Sequence, residues 1–207
     1  MASLRDQQKA HRDERILDAA VRLFRDRGVR AARLEDIAGL AGVSVGTLYN
    51  YYHTKGDLLM AVVALEVEEV LTTGEAIVTD PPRDVEAALH ALIFGYYDHS
   101  LKYLTKGMWR AAMALSIEAP DTPQGARYAA LDRRLALQVA SLIARLKGRG
   151  AVRADIDADA LGEAVFGILN QLFIAFVRDE AMTLAGLKDG LTRQLRPLAR
   201  LIATEAS

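Results

Sequence analysis

Apolar residues recur at three- and four-residue spacing along almost the whole of this 207-residue chain, and no segment alternates apolar with polar as a half-buried strand does. Ile16, Ala19, Ala20, Leu23 and Phe24 form one stripe, closed by Gly28. Val85, Leu89, Leu92, Tyr96, His99 and Tyr103 form a second, and Tyr128, Leu131, Leu135, Leu142 and Leu146 a third. A helix with one apolar stripe must bury it against a neighbour, so the pattern predicts an all-α fold of about nine helices. Pro81-Pro82 and Pro120-Asp121-Thr122-Pro123 mark breaks, and in the second Thr122 can cap a helix whose first position is Pro123. Asp157 is placed to cap a helix running to about Arg178. The last helix begins near Thr183, with Leu187, Leu191, Leu195, Leu198 and Ile202 on one face and a kink expected at Pro197.

Composition narrows the chemistry. Hydrophobic residues at 51% and charged residues at 26% are the balance of a chain that buries a core. With no cysteine, disulfides and thiolate chemistry are excluded. His90 and His99 stand nine residues apart, on opposite faces of one helix. We therefore expect neither a metal site nor a cofactor. The polar N-terminus shows no secretory pattern, which predicts a cytoplasmic protein. The longest uncharged run, Ala164–Val177, is 14 residues, short of the ~20 needed to span a bilayer, so no membrane contact is expected. The net charge of −1 hides a split: residues 1–60 hold ten Lys/Arg against eight Asp/Glu, and the remainder is acidic. A basic end suits contact with nucleic acid at that end.

The most informative stretch is LEDIAGLAGVSVGTLYNYYHTKGDLL, residues 34–59. Two helices crossing steeply through a tight turn need a small residue at the crossing, a turn residue that tolerates positive φ, and an apolar residue packing the second helix on the first. Ala38, Gly42 and Leu48 fill these places, and Ser44 can cap the second helix with its hydroxyl. With Leu48 inward, the helical period turns Val45, Gly46, Thr47, Tyr49 and Asn50 outward. Thr47 and Asn50 can then reach base edges in a major groove, and Tyr49 can donate to a phosphate. Tyr51 and Tyr52 are expected to brace the helix, and His53 to lie in an exposed loop or meet a phosphate. Thr54 and Asp57 form a capping-box pair opening the next helix, with Lys55 at its first position facing a phosphate.

Arg15–Leu59 resembles the N-terminal domain of the tetracycline-repressor (TetR) family of regulators. The residues that carry the resemblance are Ile37-Ala38, Ala41-Gly42-Val43-Ser44, Gly46-Thr47-Leu48-Tyr49, Tyr51-Tyr52, Lys55 and Leu58-Leu59. It implies a repressor: a three-helix, helix-turn-helix DNA-binding domain over 1–54, a helical effector-binding and dimerisation domain over 55–207, and a connecting helix over 55–75. It also implies a homodimer through the last two helices, about 157–178 and 183–205, that grips a double-stranded operator and responds to a small-molecule effector. Ala32 and Arg33 stand where the family usually has a Thr pair, so the hydroxyl cap is missing and Arg33 is left as a phosphate-binding cation.

Candidate effector contacts are Tyr96, His99 and Tyr103, whose polar rings share one face, together with Trp109, Met113, Asn170 and Phe173. A partly apolar or aromatic molecule would suit them, but each set also reads as core with satisfied polar tips. Asn170 and Gln171 interrupt an apolar helix and need partners in a ligand, water or another subunit. No side chains occur in an arrangement that suggests acid/base or nucleophilic catalysis. A helical binding or carrier protein, with 34–59 as a plain hairpin, is the other reading of the same residues.

Overall fold

A computed structural model describes residues 3–204. They form α1 (Leu4–Ala31), α2 (Leu34–Ala41), α3 (Val45–Tyr49), α4 (Lys55–Thr79), α5 (Val85–His99), α6 (Lys106–Glu118), α7 (Pro123–Gly148), α8 (Ala158–Arg178) and α9 (Leu184–Ile202). Among the described residues no strand forms, and one isolated bridge joins Val152 to Ala203.

Most helix starts follow local chemistry. Asp84, Thr105, Asp157 and Thr183 each accept a first-turn N–H and open α5, α6, α8 and α9. Thr122 does the same for α7, taking the Gly125 N–H at 3.2 Å. α1 begins well before its apolar stripe because Ser3 and Asp6 close a reciprocal capping box. Gly28, at φ 77°, interrupts α1 where the sequence predicted its end. α5 stops at His99, short of the expected Tyr103: the Ser100 N–H caps the carbonyls of Tyr96 and Tyr97, and Lys102 N–H turns back to His99. Tyr103 is therefore not on that helix. α9 continues through Pro197 as one helix.

The chain divides into two compact units. The first holds residues up to 65 together with 103–129, and the second holds 66–102 together with 130 onward. This division differs from a cut between residues 54 and 55, because the start of α4 and all of α6 cluster with the first three helices, and α6 packs on α1.

In the first unit Ile16, Ala20, Phe24, Ile37, Ala38, Leu48, Leu58 and Leu59 are all at most 1% exposed. Burying one such large side chain contributes about 1.5–3 kcal/mol, so the small domain rests on this cluster.

In the second unit α9 packs on α5 and α8. The α5/α9 seam is edged by Arg196–Glu86 at 3.0 Å and Lys188–Asp98 at 2.5 Å. Between them His90 stacks on Phe94 at 4.8 Å, and Lys188 Nζ lies over the Phe94 ring. His90 Nε2 is buried without a hydrogen-bond partner, and desolvation lowers the imidazole's pKa. Deeper in the unit, the Tyr96 hydroxyl donates to Gln138 Oε1 at 2.7 Å and Gln138 Nε2 donates to the Leu71 carbonyl at 2.8 Å. Gly74 makes room for this relay, since a Cβ there would collide with Gln138 and Leu92.

α8 corrects one expectation. At 21 residues and a mean hydropathy of 1.7 over its best 18-residue window, it is long and apolar enough, by length and composition, to cross a membrane. Glu163 bounds the uncharged run without ending the apolar helix. A third of that window is buried within the fold.

α7 and α8 approach closely at Gly162, where a Cβ would fall 2.5 Å from the Ala140 Cβ and 2.7 Å from its nitrogen. Ala in place of Gly favours an isolated helix by ~1 kcal/mol. Overpacking this crossing costs about 1–3 kcal/mol and should win. Gly162→Ala is expected to lower the urea midpoint of unfolding, and an increase would show that the crossing is not tight.

Candidate nucleic-acid interface

Three short elements build the site. α2 starts without a side-chain cap: Arg33 sits at the N-cap, exposed, and faces Glu35 at 3.4 Å. The helix ends at Gly42, which adopts φ 64°, ψ 38°, a left-handed conformation that only glycine enters without strain. The Gly42 and Val43 N–H groups then bond back to the Gly39 and Ala38 carbonyls, closing the turn. Ser44 follows in extended conformation and its hydroxyl accepts the Thr47 N–H at 3.0 Å, opening α3 as the sequence indicated.

Leu48, at 0% exposure, is the one buried residue of α3. With that side chain seated, Ser44, Gly46 and Asn50 are exposed, Val45 and Tyr49 are 38% and 40% exposed, and Thr47 is half-buried. All the outward residues read from the sequence therefore share one short helix and its cap. The Thr47 hydroxyl lies 2.8 Å from the Ser44 hydroxyl, so the cap orients it. A Cβ at Gly46 would meet only the Ser44 hydroxyl, at 4.0 Å, so glycine there keeps this surface low rather than relieving a clash.

Behind α3 the two tyrosines brace the unit. The Tyr52 hydroxyl donates to Asp13 at 2.7 Å, and burial, then that carboxylate, hold it well above the ordinary phenol range. Tyr51 is half-buried and stacks loosely on Tyr52 with ring centroids 6.4 Å apart. His53 is exposed. Lys55 takes a position the sequence did not reveal: its Nζ donates to the Arg30 carbonyl at 2.5 Å, fastening the start of α4 to the end of α1. Thr54 and Asp57 form the expected capping box, at 3.0 and 2.8 Å.

Sequence reading also missed Arg15, whose Nη2 donates to the carbonyls of Ala41 and Gly42, and Gln124, which donates to Asp57. Partners 26 and 67 residues apart leave no local pattern.

The seven candidate effector residues do not form one cluster within a unit. Tyr103, Trp109 and Met113 belong to the first unit, and Tyr96, His99, Asn170 and Phe173 to the second. Both ring nitrogens of His99 face carboxylate oxygens, Nδ1 that of Glu66 and Nε2 that of Glu69 at 2.8 Å, with Lys102 completing the cluster on Glu69. Phe173 is buried, its ring centroid 6.2 Å from Tyr97, whose hydroxyl donates to the Leu169 carbonyl at 2.8 Å. Asn170 is half-buried and Gln171 exposed, so within the chain neither is interred. A groove of about 290 Å³ between α7 and α8 is lined by Asp132, Leu137, Ala140, Glu163 and Phe166, among others. Burial pushes the Asp132 carboxyl up to about 6. No group of three or more His, Asp or Glu side chains is placed to hold a metal among the described residues.

Desolvation raises the pKa of Asp57, but hydrogen bonds from Gln124, Thr54 and the His53 N–H outweigh it and hold the carboxyl below its usual range. A carboxyl depressed in the folded state adds stability that is present above the unfolded value of about 4 and is lost as pH falls through the folded value. Asp57→Asn should therefore destabilise the protein at neutral pH, and the gap to the parent should narrow at about pH 3. Urea unfolding at the two pH values decides, and a gap that does not change with pH contradicts the role.

Residues 16–62 match the family model described as bacterial regulatory proteins, tetR family. The transcriptional repressor KstR of Rhodococcus jostii is 33% identical over 105 residues, covering 49% of this chain and 48% of that protein. The chain spans about half or less of the length of the curated relatives it matches. A TetR-family regulator from Mesorhizobium loti shares the fold at TM-score 0.76 and 21% identity, over 94% of this chain and 98% of that one. Thermus thermophilus FadR, a TetR-family repressor solved with lauroyl-CoA, does so at TM-score 0.62 and 24% identity, over 94% and 97%. With its helix-turn-helix formed as the matched segment requires, residues 16–62 are similar to the N-terminal domain of the tetR family of bacterial regulatory proteins, and the described chain shares the fold of solved TetR-family regulators.

Proposed function

We propose that this protein is a cytoplasmic, ligand-responsive transcriptional repressor that binds a palindromic DNA operator as a homodimer and is released by a small-molecule effector. The observation that carries the reading is the exposure of Ser44, Val45, Gly46, Tyr49 and Asn50 on a helix anchored by Leu48 alone. A five-residue helix buried on one side chain contributes little to a core, but its outward face fits a major groove. Thr47 and Asn50 read bases. Arg33, Tyr49, His53 and Lys55 face the backbone, Lys55 giving up its carbonyl contact or sharing it. The N-cap end of α3 points partial positive charge at a phosphate.

Residues 1–54 act as the DNA-reading domain and 55–207 as the effector and dimer domain. The apolar α8 leaves Ala164, Gly167 and Gln171 exposed, a surface that suits a second copy. Pairing through α8 and α9 sets two recognition helices on successive major grooves, about 34–36 Å apart. The lauroyl-CoA of the Thermus protein lies in the same fold, which supports a partly apolar organic effector here. An effector that prefers an arrangement with the wrong spacing weakens DNA binding by its coupling energy, typically about 1–3 kcal/mol. No step of this cycle requires catalysis.

Selection from a randomised duplex library by the full chain should enrich a two-fold symmetric site, with affinity falling by ~0.9 log units per log salt for each phosphate neutralised. Tyr49→Phe and Lys55→Ala should weaken binding to all duplexes alike, whereas Thr47 and Asn50 substitutions should relax preference at particular base pairs. No enrichment and no retention on random DNA would leave the carrier-protein reading instead. Sedimentation should show a dimer that Gly167→Arg dissociates, and a monomeric parent would overturn the two-fold mechanism.

A further inference from the structure

The arginine that holds the α2–α3 turn has no part in the reading above. Arg15 lies on α1, and its Nη2 donates to the carbonyls of Ala41 and Gly42, the latter at 3.1 Å. These are the last residue of α2 and its C-cap, where carbonyls lack helical partners and carry the negative end of the helix dipole. α2 has no basic residue of its own in its last turn. A cation from another helix supplies the missing donor.

The contact sits at the turn itself. Position 42 favours glycine for its positive φ, and a Cβ there would fall 2.5 Å from Arg15 Nη2, so a side chain at 42 would also push the guanidinium aside. Three residues later comes the recognition helix, with Leu48 its one buried side chain. One apolar anchor fixes which face of a short helix is turned inward but leaves its tilt and the path of its leading turn to the backbone before it. Ser44 fixes the first N–H groups, and Arg15 fixes the carbonyls just upstream.

We propose that Arg15 is a positioning residue for sequence readout: it sets the angle at which α3 is presented and touches neither base nor phosphate. The inference rests on the DNA-binding reading. Arg15 is exposed and lines a shallow groove with Arg22, Asp18 and Leu40, so a direct phosphate contact is the competing role for the same cation. The two differ in what salt does. A phosphate-neutralising arginine carries close to one unit of the slope of log affinity against log salt, and a positioning arginine carries none.

The test uses Arg15→Met, with Arg15→Gln as a neutral variant that keeps an N–H donor. Arg22→Met is the control that removes a cation from the same groove without a carbonyl contact. Each full-length protein is titrated with the duplex selected by the parent and with a random duplex, at several salt concentrations. Arg15→Met should lose about tenfold or more in the ratio of selected to random affinity at an unchanged salt slope, and Arg15→Gln should lose less. A slope shallower by about one with the ratio intact would overturn the proposal, as would an unchanged ratio.

Hydrogen exchange without DNA separates this inference from the reading beneath it. In Arg15→Met, amides of residues 43–50 should exchange several-fold faster while those of α1 and α9 keep the parent's rates. Unchanged rates across 43–50 would defeat the positioning role even if the parent binds DNA. Faster exchange in Arg15→Met, where the parent selects no duplex, would uphold the clamp and refute the DNA reading.

Discussion

The seating of Leu48 is the contact on which the functional surface depends. It is wholly buried beneath a helix of five residues whose other side chains are half-buried or exposed. Its burial against the α1–α2 core turns a fixed set of side chains outward and makes the helical period a pointing device. The rest of the small unit serves that seat. Ile37 and Ala38 are buried in the same unit, Gly42 lets the chain reverse, and Ser44 accepts the Thr47 N–H at the start of the new helix. Tyr52, buried in the same unit, is held by Asp13.

This much was legible because its causes are local. Turn chemistry at Gly42 and Ser44, the capping box of Thr54 and Asp57, and the caps at Asp157 and Thr183 act over three or four residues and leave a pattern in the sequence. The contacts that fix how elements meet did not. Arg15 with Ala41, Lys55 with Arg30, and Gln124 with Asp57 join positions 25 to 67 apart. The end of α5 was misread because an apolar spacing carries on through Tyr103, while the helix is ended by backbone bonds at Ser100 that no side-chain pattern announces. His99 reads from the sequence as either pocket or core with a satisfied polar tip, and its carboxylate partners on α4 leave no local signal.

The second unit is governed by polar groups placed where an apolar reading expects none. Gln138 joins Tyr96 to the Leu71 carbonyl, and Gly74 leaves the relay space that a Cβ would take. Buried networks of this kind are costly when broken, so they fix one packing of their helices rather than adding much net stability. Against this ordered interior, the apolar outer face of α8 stands out as a surface not yet covered within the chain.

The central claim is that the outward face of α3 is the surface that meets DNA. Hydrogen exchange of the full chain, with and without the duplex it selects, tests this most directly. Slower exchange over residues 44–50 and at the start of α4 on adding the duplex is the predicted result. Protection confined to residues 66–102 or 130–204, with 44–50 exchanging as in the free protein, would contradict it.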